Sequence, residues 1–348
     1  MTDLHVRREG RAGRITLDRP EALNAVTHDM VRGIHAALED WRGDDAVDLL
    51  LIDGMGERAF SAGGDLMAMY DAGRQGDPSI GRAFWRDEYA MNAALFHFPK
   101  PVVTFLHGFT MGGGVGVGCH GSHRIVRDDS RIALPECAIG LVPDVGGSLI
   151  LARAPGRLGE FLGVTGHRMR PGDAIHAGFA DYYVLDGWND LKATLCETGD
   201  VGAVDRAALP PPDGDLFGWR ADIDRHFAGE RLGDVARSLA GATGPMADVA
   251  RKALAANAPL SMACALEILH RLGDDPTIEQ ALGMEYRFTA RSLTDADFVE
   301  GIRAQIVDKD RSPRWKHAGP EDVTAMDVAR MLMPLGDDAL QLEGGERP

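Results

Sequence analysis

The sequence predicts an α/β fold with a mainly helical region following it. Three observations carry this. Short β-type runs alternate with runs of helical period up to about residue 150, glycine-rich turns join them, and helical spacing dominates thereafter. Strands alternating with helices pack as layers of sheet and helix. A chain of 348 residues with 45% hydrophobic content can form one large domain, or a core of about 200 residues with a smaller one appended.

Taken in order, LHVRREG and GRITLDRP read as a hairpin pair of strands around Gly10 and Gly13. In THDMVRGIHAALEDWRGD, the residues Met30, Val31, Ile34, Ala37, Leu38 and Trp41 recur at helical spacing, with Thr27 as N-cap. VDLLLID is a short buried strand. ERAFSAGGDLMAMYDAG is a turn feeding a helix, with Asp65 as the simplest cap. PVVTFLHG is a strand, GGGVGVGCHG the start of a helix, and HRIVRDD and RIALPE two further strands. GRLGEFLGVTG and MRPGDAIHAGF read as helical and DYYVL as a short strand. Further helices are expected at DIDRHFAG, MADVARKALAAN, SMACALEILHRL, IEQALGMEYRFTARSL and ADFVEGIRAQIV. The expected plan is a core over 1–198, a linker over 199–217 containing PPPDGD, a helical region over 218–334 and a polar tail over 335–348.

Composition narrows the function classes. A net charge of −16 repels nucleic acid and anionic membrane surfaces, so neither is an expected partner. The four cysteines stand far apart and give neither a zinc pattern nor a disulfide framework, which fits a reducing cytoplasm. The N-terminus lacks the apolar core of a signal peptide. The most apolar run, 101–119, is too interrupted by Gly and His to span a bilayer. His107, His120 and His123 have no carboxylate or cysteine at ligand spacing, so no metal site is expected.

Three glycine-flanked segments carry the chemistry. SAGGDL (61–66) and MGGGVG (111–116) are each weak alone, since glycines serve turns and close packing as often as ligands. Together they put two backbone N–H groups at helix beginnings, where they can converge on one carbonyl oxygen as an oxyanion hole. PECAIGLVPDVGG (135–147) adds two acids, Glu136 and Asp144, to an otherwise apolar turn region. Burying a carboxylate costs several kcal/mol without compensation, so their presence there suggests a pocket.

The order ERAFSAGGDL, KPVVTFLHGFTMGGGVGVG, ALPECAIGLVPDVGGS resembles the crotonase (enoyl-CoA hydratase/isomerase) superfamily over roughly residues 3–190. FWRDEYAMN (84–92), TMGGGVG (110–116) and PDVGG (143–147), with the long helical C-terminal segment, resemble its 3-hydroxyisobutyryl-CoA hydrolase branch. The resemblance implies a crotonase-like spiral of ββα units and an acyl-CoA substrate held between core and C-terminal helices. It implies an oxyanion hole from the N–H groups of Gly64 and Gly113, Glu136 as the acid common to many members, and Glu88 as a substrate-contacting acid. Asp144 stands where hydratases have glycine. It further implies that coenzyme A is part of the substrate and no separate cofactor is needed, that the reaction belongs to valine breakdown, and that a homo-oligomer can form. One position departs from the hydratases: their first glutamate corresponds to Gly116, three residues after Gly113 and on the same helix face.

A thioester needs charge stabilisation at its carbonyl and an activated attacker, because its thiol, with a pKa near ~8.5, leaves readily. Glu136 can attack directly or activate water, and Asp144 can bind a substrate hydroxyl or position water. Two other readings stay open: a hydratase or isomerase of the same fold, and a silent acyl-CoA-binding protein.

Overall fold

The first strand, β1 (Leu4–Glu9), pairs antiparallel with β2 (Ala12–Leu17), as the hairpin pattern predicts. Gly10 turns between them at φ 58°, and a Cβ there would lie 2.2 Å from the Cys196 carbonyl oxygen, so the turn requires glycine. The computed structural model describes residues 3–273 and 275–342; the end of the expected polar tail, 343–348, lies outside the described residues. Helix α1 (His28–Arg42) is capped by Thr27, whose hydroxyl accepts from the Met30 amide at 3.2 Å, and its buried residues are those of the predicted stripe.

Next come β3 (Leu49–Gly54), β4 (Ala59–Ser61), α2 (Met67–Arg74), α3 (Ser79–Phe96), β5 (Val102–Phe105), β6 (Phe109–Met111), α4 (Gly113–Gly118), β7 (His123–Val126), β8 (Arg131–Ala133) and α5 (Gly147–Arg153). Then follow α6 (Leu158–Thr165), α7 (Pro171–His176), β9 (Tyr182–Tyr183), α8 (Trp188–Thr198) and α9 (Gly202–Ala207). The helical C-terminal part holds α10 (Asp215–His226), α11 (Leu232–Leu239), α12 (Pro245–Ala256), α13 (Pro259–Leu272), α14 (Ile278–Asp295), α15 (Phe298–Ile302) and α16 (Ala325–Leu332).

The strands from β3 to β8 alternate between two sheets. One sheet runs β1-β2-β3-β5-β7-β9 and is parallel from β2 onward; the other runs β4-β6-β8 and is parallel throughout. Each strand–strand–helix passage of the chain adds one strand to each sheet, which is the expected spiral of ββα units. The small-sheet strands β4 and β6 are not predicted from the sequence. Three residues each is too short for an alternation to be visible. Within 199–217, α9 makes part of the stretch read as linker helical.

The chain divides into two compact units, each contributed by three stretches. The first comprises 1–65, 90–133 and 168–217 and holds both sheets. Its core packs Leu49, Leu51, Val103, Phe105 and Ile125 against Trp188, Leu191 and Leu195 of α8. Asp53, buried on β3, is held by Thr16 and Arg14 at 2.7 Å each and by Lys192 at 2.9 Å. Burial pushes this carboxyl up, but the Lys192 and Arg14 charges and the Thr16 hydroxyl leave it below the usual range.

The second unit comprises 66–89, 134–167 and 218–348. Its centre is α13, buried from Pro259 to Leu266, and aromatic contacts such as Phe161 against Phe227 at 5.4 Å, edge to face. Helix α14 starts from a capping box, Thr277 and Gln280, and buries a long face of ten residues.

Candidate active site

The two glycine motifs lie side by side in the first unit. β4 and β6 pair in parallel, Ser61 opposite Thr110, and run on into Gly63 and Gly112. A Cβ on Gly114 would strike the Ser61 carbonyl oxygen at 2.4 Å, so only glycine allows this approach. Gly64 bridges Val26 through its neighbours: the Val26 amide donates to the Gly63 carbonyl and the Asp65 amide to the Val26 carbonyl. That pairing leaves the N–H of Gly64 pointing away from Val26. Gly113 is the first residue of α4, after Gly112 at φ 51° in the cap position, so its N–H is one that a helix leaves without an intrahelical partner. Gly116 is buried within α4 and brings no side chain. Asp65 does not cap α2. The cap position falls on Leu66 without a side-chain bond, and the Asp65 carboxylate meets the Arg19 guanidinium at 3.2 Å. The charged partner outcompetes a neutral amide for the carboxylate.

The acids lie in the second unit. Glu88 is on α3, Glu136 opens a 3-10 turn, Glu136–Ile139, and Asp144 precedes α5; all three are at most 4% exposed. Their backbones are fixed from outside. Gly140 ends the 3-10 turn at φ 78° against the Asp297 backbone, and the Ala258 amide donates to the Cys137 carbonyl at 2.9 Å. Asp144 begins a tight turn closed by the Gly147 amide on the Asp144 carbonyl at 2.7 Å. Its central residues, Val145 (φ 55°) and Gly146 (φ 76°), both have positive φ, a pattern that ordinarily selects Asn-Gly. A β-branched residue in this region costs on the order of 1–3 kcal/mol and persists only where its surroundings enforce it.

Two groups that the sequence reading passed over complete this constellation. Tyr89, fully buried beside Glu88 in sequence, places its hydroxyl 2.8 Å from Asp144 Oδ2 and 3.4 Å from Thr289 Oγ1. Glu285 on α14, also fully buried, accepts from the Gly146 amide at 2.8 Å, the Ser148 amide at 3.0 Å and the Ser148 hydroxyl at 2.5 Å. It thereby caps α5 from another helix. A signal for it existed. Ile278, Ala281, Leu282, Glu285, Thr289 and Ser292 fall on one buried face of α14, so an acid interrupts an otherwise inward stripe.

Like charges and burial push every acid of this set upward. Glu136 is raised well above the usual carboxylate range by burial and then by Asp144. Burial, Asp144 and Glu285 do the same to Glu88. Burial takes Asp144 to about 7 against the downward pull of the Tyr89 bond. Burial takes Glu285 to about 8, with the Ser148 and Gly146 bonds resisting and the Asp144 charge adding. Burial and the Asp144 charge raise Tyr89 well above its ordinary value, so the phenol keeps its proton as a donor. Glu136 differs from the others. Both of its carboxylate oxygens are buried without a hydrogen-bond partner among the described residues. A carboxylate so placed has its lone pairs available to a ligand and is destabilised until one arrives.

A spiral of ββα units, with two sheets that gain strands in alternation, defines a crotonase-fold protein. Residues 12–332 match the enoyl-CoA hydratase/isomerase family. The chain is 34% identical to the mitochondrial 3-hydroxyisobutyryl-CoA hydrolase of Gallus gallus, over 98% of this chain and 91% of that one. It is similar in structure to an enoyl-CoA hydratase from Rhodobacter sphaeroides 2.4.1, with TM-score 0.94 and 54% identity over 98% of this chain and 100% of that one. A carnitinyl-CoA dehydratase from Mycobacterium thermoresistibile gives TM-score 0.93 and 39% identity over 99% of each chain. The chain belongs to the enoyl-CoA hydratase/isomerase family. No helix among the described residues is long and apolar enough to cross a membrane.

Proposed function

We propose that the protein hydrolyses a short β-hydroxyacyl-CoA thioester, 3-hydroxyisobutyryl-CoA above others, as a step of valine breakdown. The observation that carries the reading is Glu136: a buried carboxylate with both oxygens unpartnered among the described residues, in a chain whose α4 offers Gly116 where hydratases offer the first of their two glutamates. The near full-length likeness to a curated hydrolase supports it. In this reading the Gly64 and Gly113 amides take up the charge that develops on the thioester oxygen, which is worth about 3–4 kcal/mol per donor. Glu136 attacks the carbonyl or activates water, and the thiolate of coenzyme A leaves without needing a strong acid. Coenzyme A enters as part of the substrate, and hydrolysis calls for water but no cofactor. The four cysteines are free and buried, which supports a reducing compartment; the cytosol expected from the sequence gains nothing from relatives whose names place them in mitochondria.

A second reading, enoyl-CoA hydration, is favoured by the likeness to the Rhodobacter sphaeroides enoyl-CoA hydratase at 54% identity. Thiol release from a panel of short acyl-CoAs separates the two. A hydrolase liberates coenzyme A from 3-hydroxyisobutyryl-CoA, whereas a hydratase consumes crotonyl-CoA without freeing thiol. Robust crotonyl-CoA hydration with no thiol release would overturn the hydrolase reading.

A further inference from the structure

We propose that Glu285 is a positioning residue: by accepting from the Gly146 and Ser148 amides it clamps the strained turn at Val145 and thereby aims the Asp144 carboxylate. The geometry behind this is local and redundant. Asp144 is the first residue of a turn whose next residue, a buried valine, is held at φ 55°. Left to itself a valine leaves that conformation, and the Asp144 side chain turns with the backbone. The three bonds from the Glu285 carboxylate tie down the residues immediately after it, Gly146 and Ser148. One turn further along α14, Thr289 reaches the Asp144 carboxylate by a second route, through the Tyr89 hydroxyl. Residues four apart on a helix share a face, so a single face of α14 fixes both the backbone and the side chain of Asp144. A cap serving α5 alone would need nothing at Thr289 or Tyr89.

The inference rests on the proposed reading insofar as Asp144 acts on substrate, and the test separates the two. kcat/KM is measured for 3-hydroxyisobutyryl-CoA and isobutyryl-CoA in the wild type, Glu285→Gln, Asp144→Asn and the double variant. A misaimed group costs on the order of 10²-fold, so Glu285→Gln is expected to lose about that much on the hydroxylated substrate and most of its selectivity. The double variant should be no worse than Asp144→Asn, because Glu285 acts through Asp144. Fully additive losses, or a folded Glu285→Gln enzyme with wild-type selectivity, would overturn the assignment. Glu285→Asp, which keeps the carboxyl group and shortens the reach, gives the same comparison should the glutamine variant fail to fold. If the wild type releases no thiol from any acyl-CoA, the hydrolase reading falls, and amide hydrogen exchange then judges the clamp alone. Gly146 and Ser148 should exchange at least about tenfold faster in Glu285→Gln relative to Ile150 and Leu151, as loss of the two amide bonds to the carboxyl oxygens implies; unchanged relative protection would overturn it.

Discussion

The Tyr89 hydroxyl lies 2.8 Å from Asp144 Oδ2, and both groups are buried. A phenol has one proton. With that proton on the Asp144 side, the Thr289 hydroxyl is the group that donates at 3.4 Å, giving a relay Thr289 to Tyr89 to Asp144. The relay favours the ionised carboxylate in a place where burial opposes it.

Removing the phenol hydroxyl should therefore act on protonation first. In Tyr89→Phe, Asp144 loses a charge-assisted bond and its proton affinity rises. The acid limb of the pH–rate profile is expected to move to higher pH, with a stability loss of about 1–3 kcal/mol in urea unfolding. An unmoved acid limb would mean that the Asp144 charge is not linked to turnover.

Glu136 is expected to be indispensable. Glu136→Gln should reduce thioester hydrolysis by several orders of magnitude while leaving acyl-CoA binding measurable by calorimetry. The amide is nearly isosteric but can neither attack nor accept a proton. It also removes a carboxyl whose buried oxygens have no partner among the described residues and whose ionisation burial opposes, so the variant should be at least as stable as the wild type. Turnover close to that of the wild type would transfer the attacking role to Asp144.

Much of this site is visible in the sequence. Glu136 and Asp144 stand out because they interrupt an apolar, glycine-rich stretch, and Glu88 emerges only through the family pattern around FWRDEYAMN. The structure buries all three in the second unit. What stays hidden depends on contacts far apart in the chain. Glu285 lies 139 residues from Gly146, whose amide donates to it, and Tyr89 lies 200 residues from Thr289. Nothing local marks those pairs. Asp65 fails as a cap for the same reason, since Arg19 reaches it from 46 residues away.

The same acids govern stability as a function of pH. The folded chain keeps protons on Asp144 up to about 7 and on Glu285 up to about 8, whereas an unfolded chain releases them near 3.8 and 4.5. The stabilisation linked to these groups is thus complete below about pH 4 and is lost as pH rises through about 7 to 8. Ion-paired acids such as Asp53, held low, act in the opposite sense, so the difference between two variants is the informative quantity. Glu285→Gln lacks one of the raised groups. Its urea stability is expected to fall less between pH 5 and pH 8 than that of the wild type. Parallel curves for the two proteins would show that Glu285 is already ionised throughout that range.

The last expectation concerns the acyl group. Glu136 and two backbone donors suffice for thioester chemistry in the proposed reading, which leaves Asp144 and Glu88 without a task at the carbonyl. An acid facing an apolar acyl chain loses hydration and gains nothing, whereas one facing a 3-hydroxyl accepts a bond worth roughly 1.5–3 kcal/mol. Asp144 is bonded to Tyr89 through Oδ2, and a carboxylate has further acceptor sites for such a partner. A site built around that bond rejects an analogue that leaves the acid unpaired, by up to about 10⁴-fold. The expected result is a strong preference for 3-hydroxyisobutyryl-CoA over isobutyryl-CoA in kcat/KM, reduced in Asp144→Asn, Glu88→Gln or both. Equal rates on the two thioesters in the wild type would show that neither acid reads the hydroxyl, and the enzyme would then be a general short-chain acyl-CoA thioesterase.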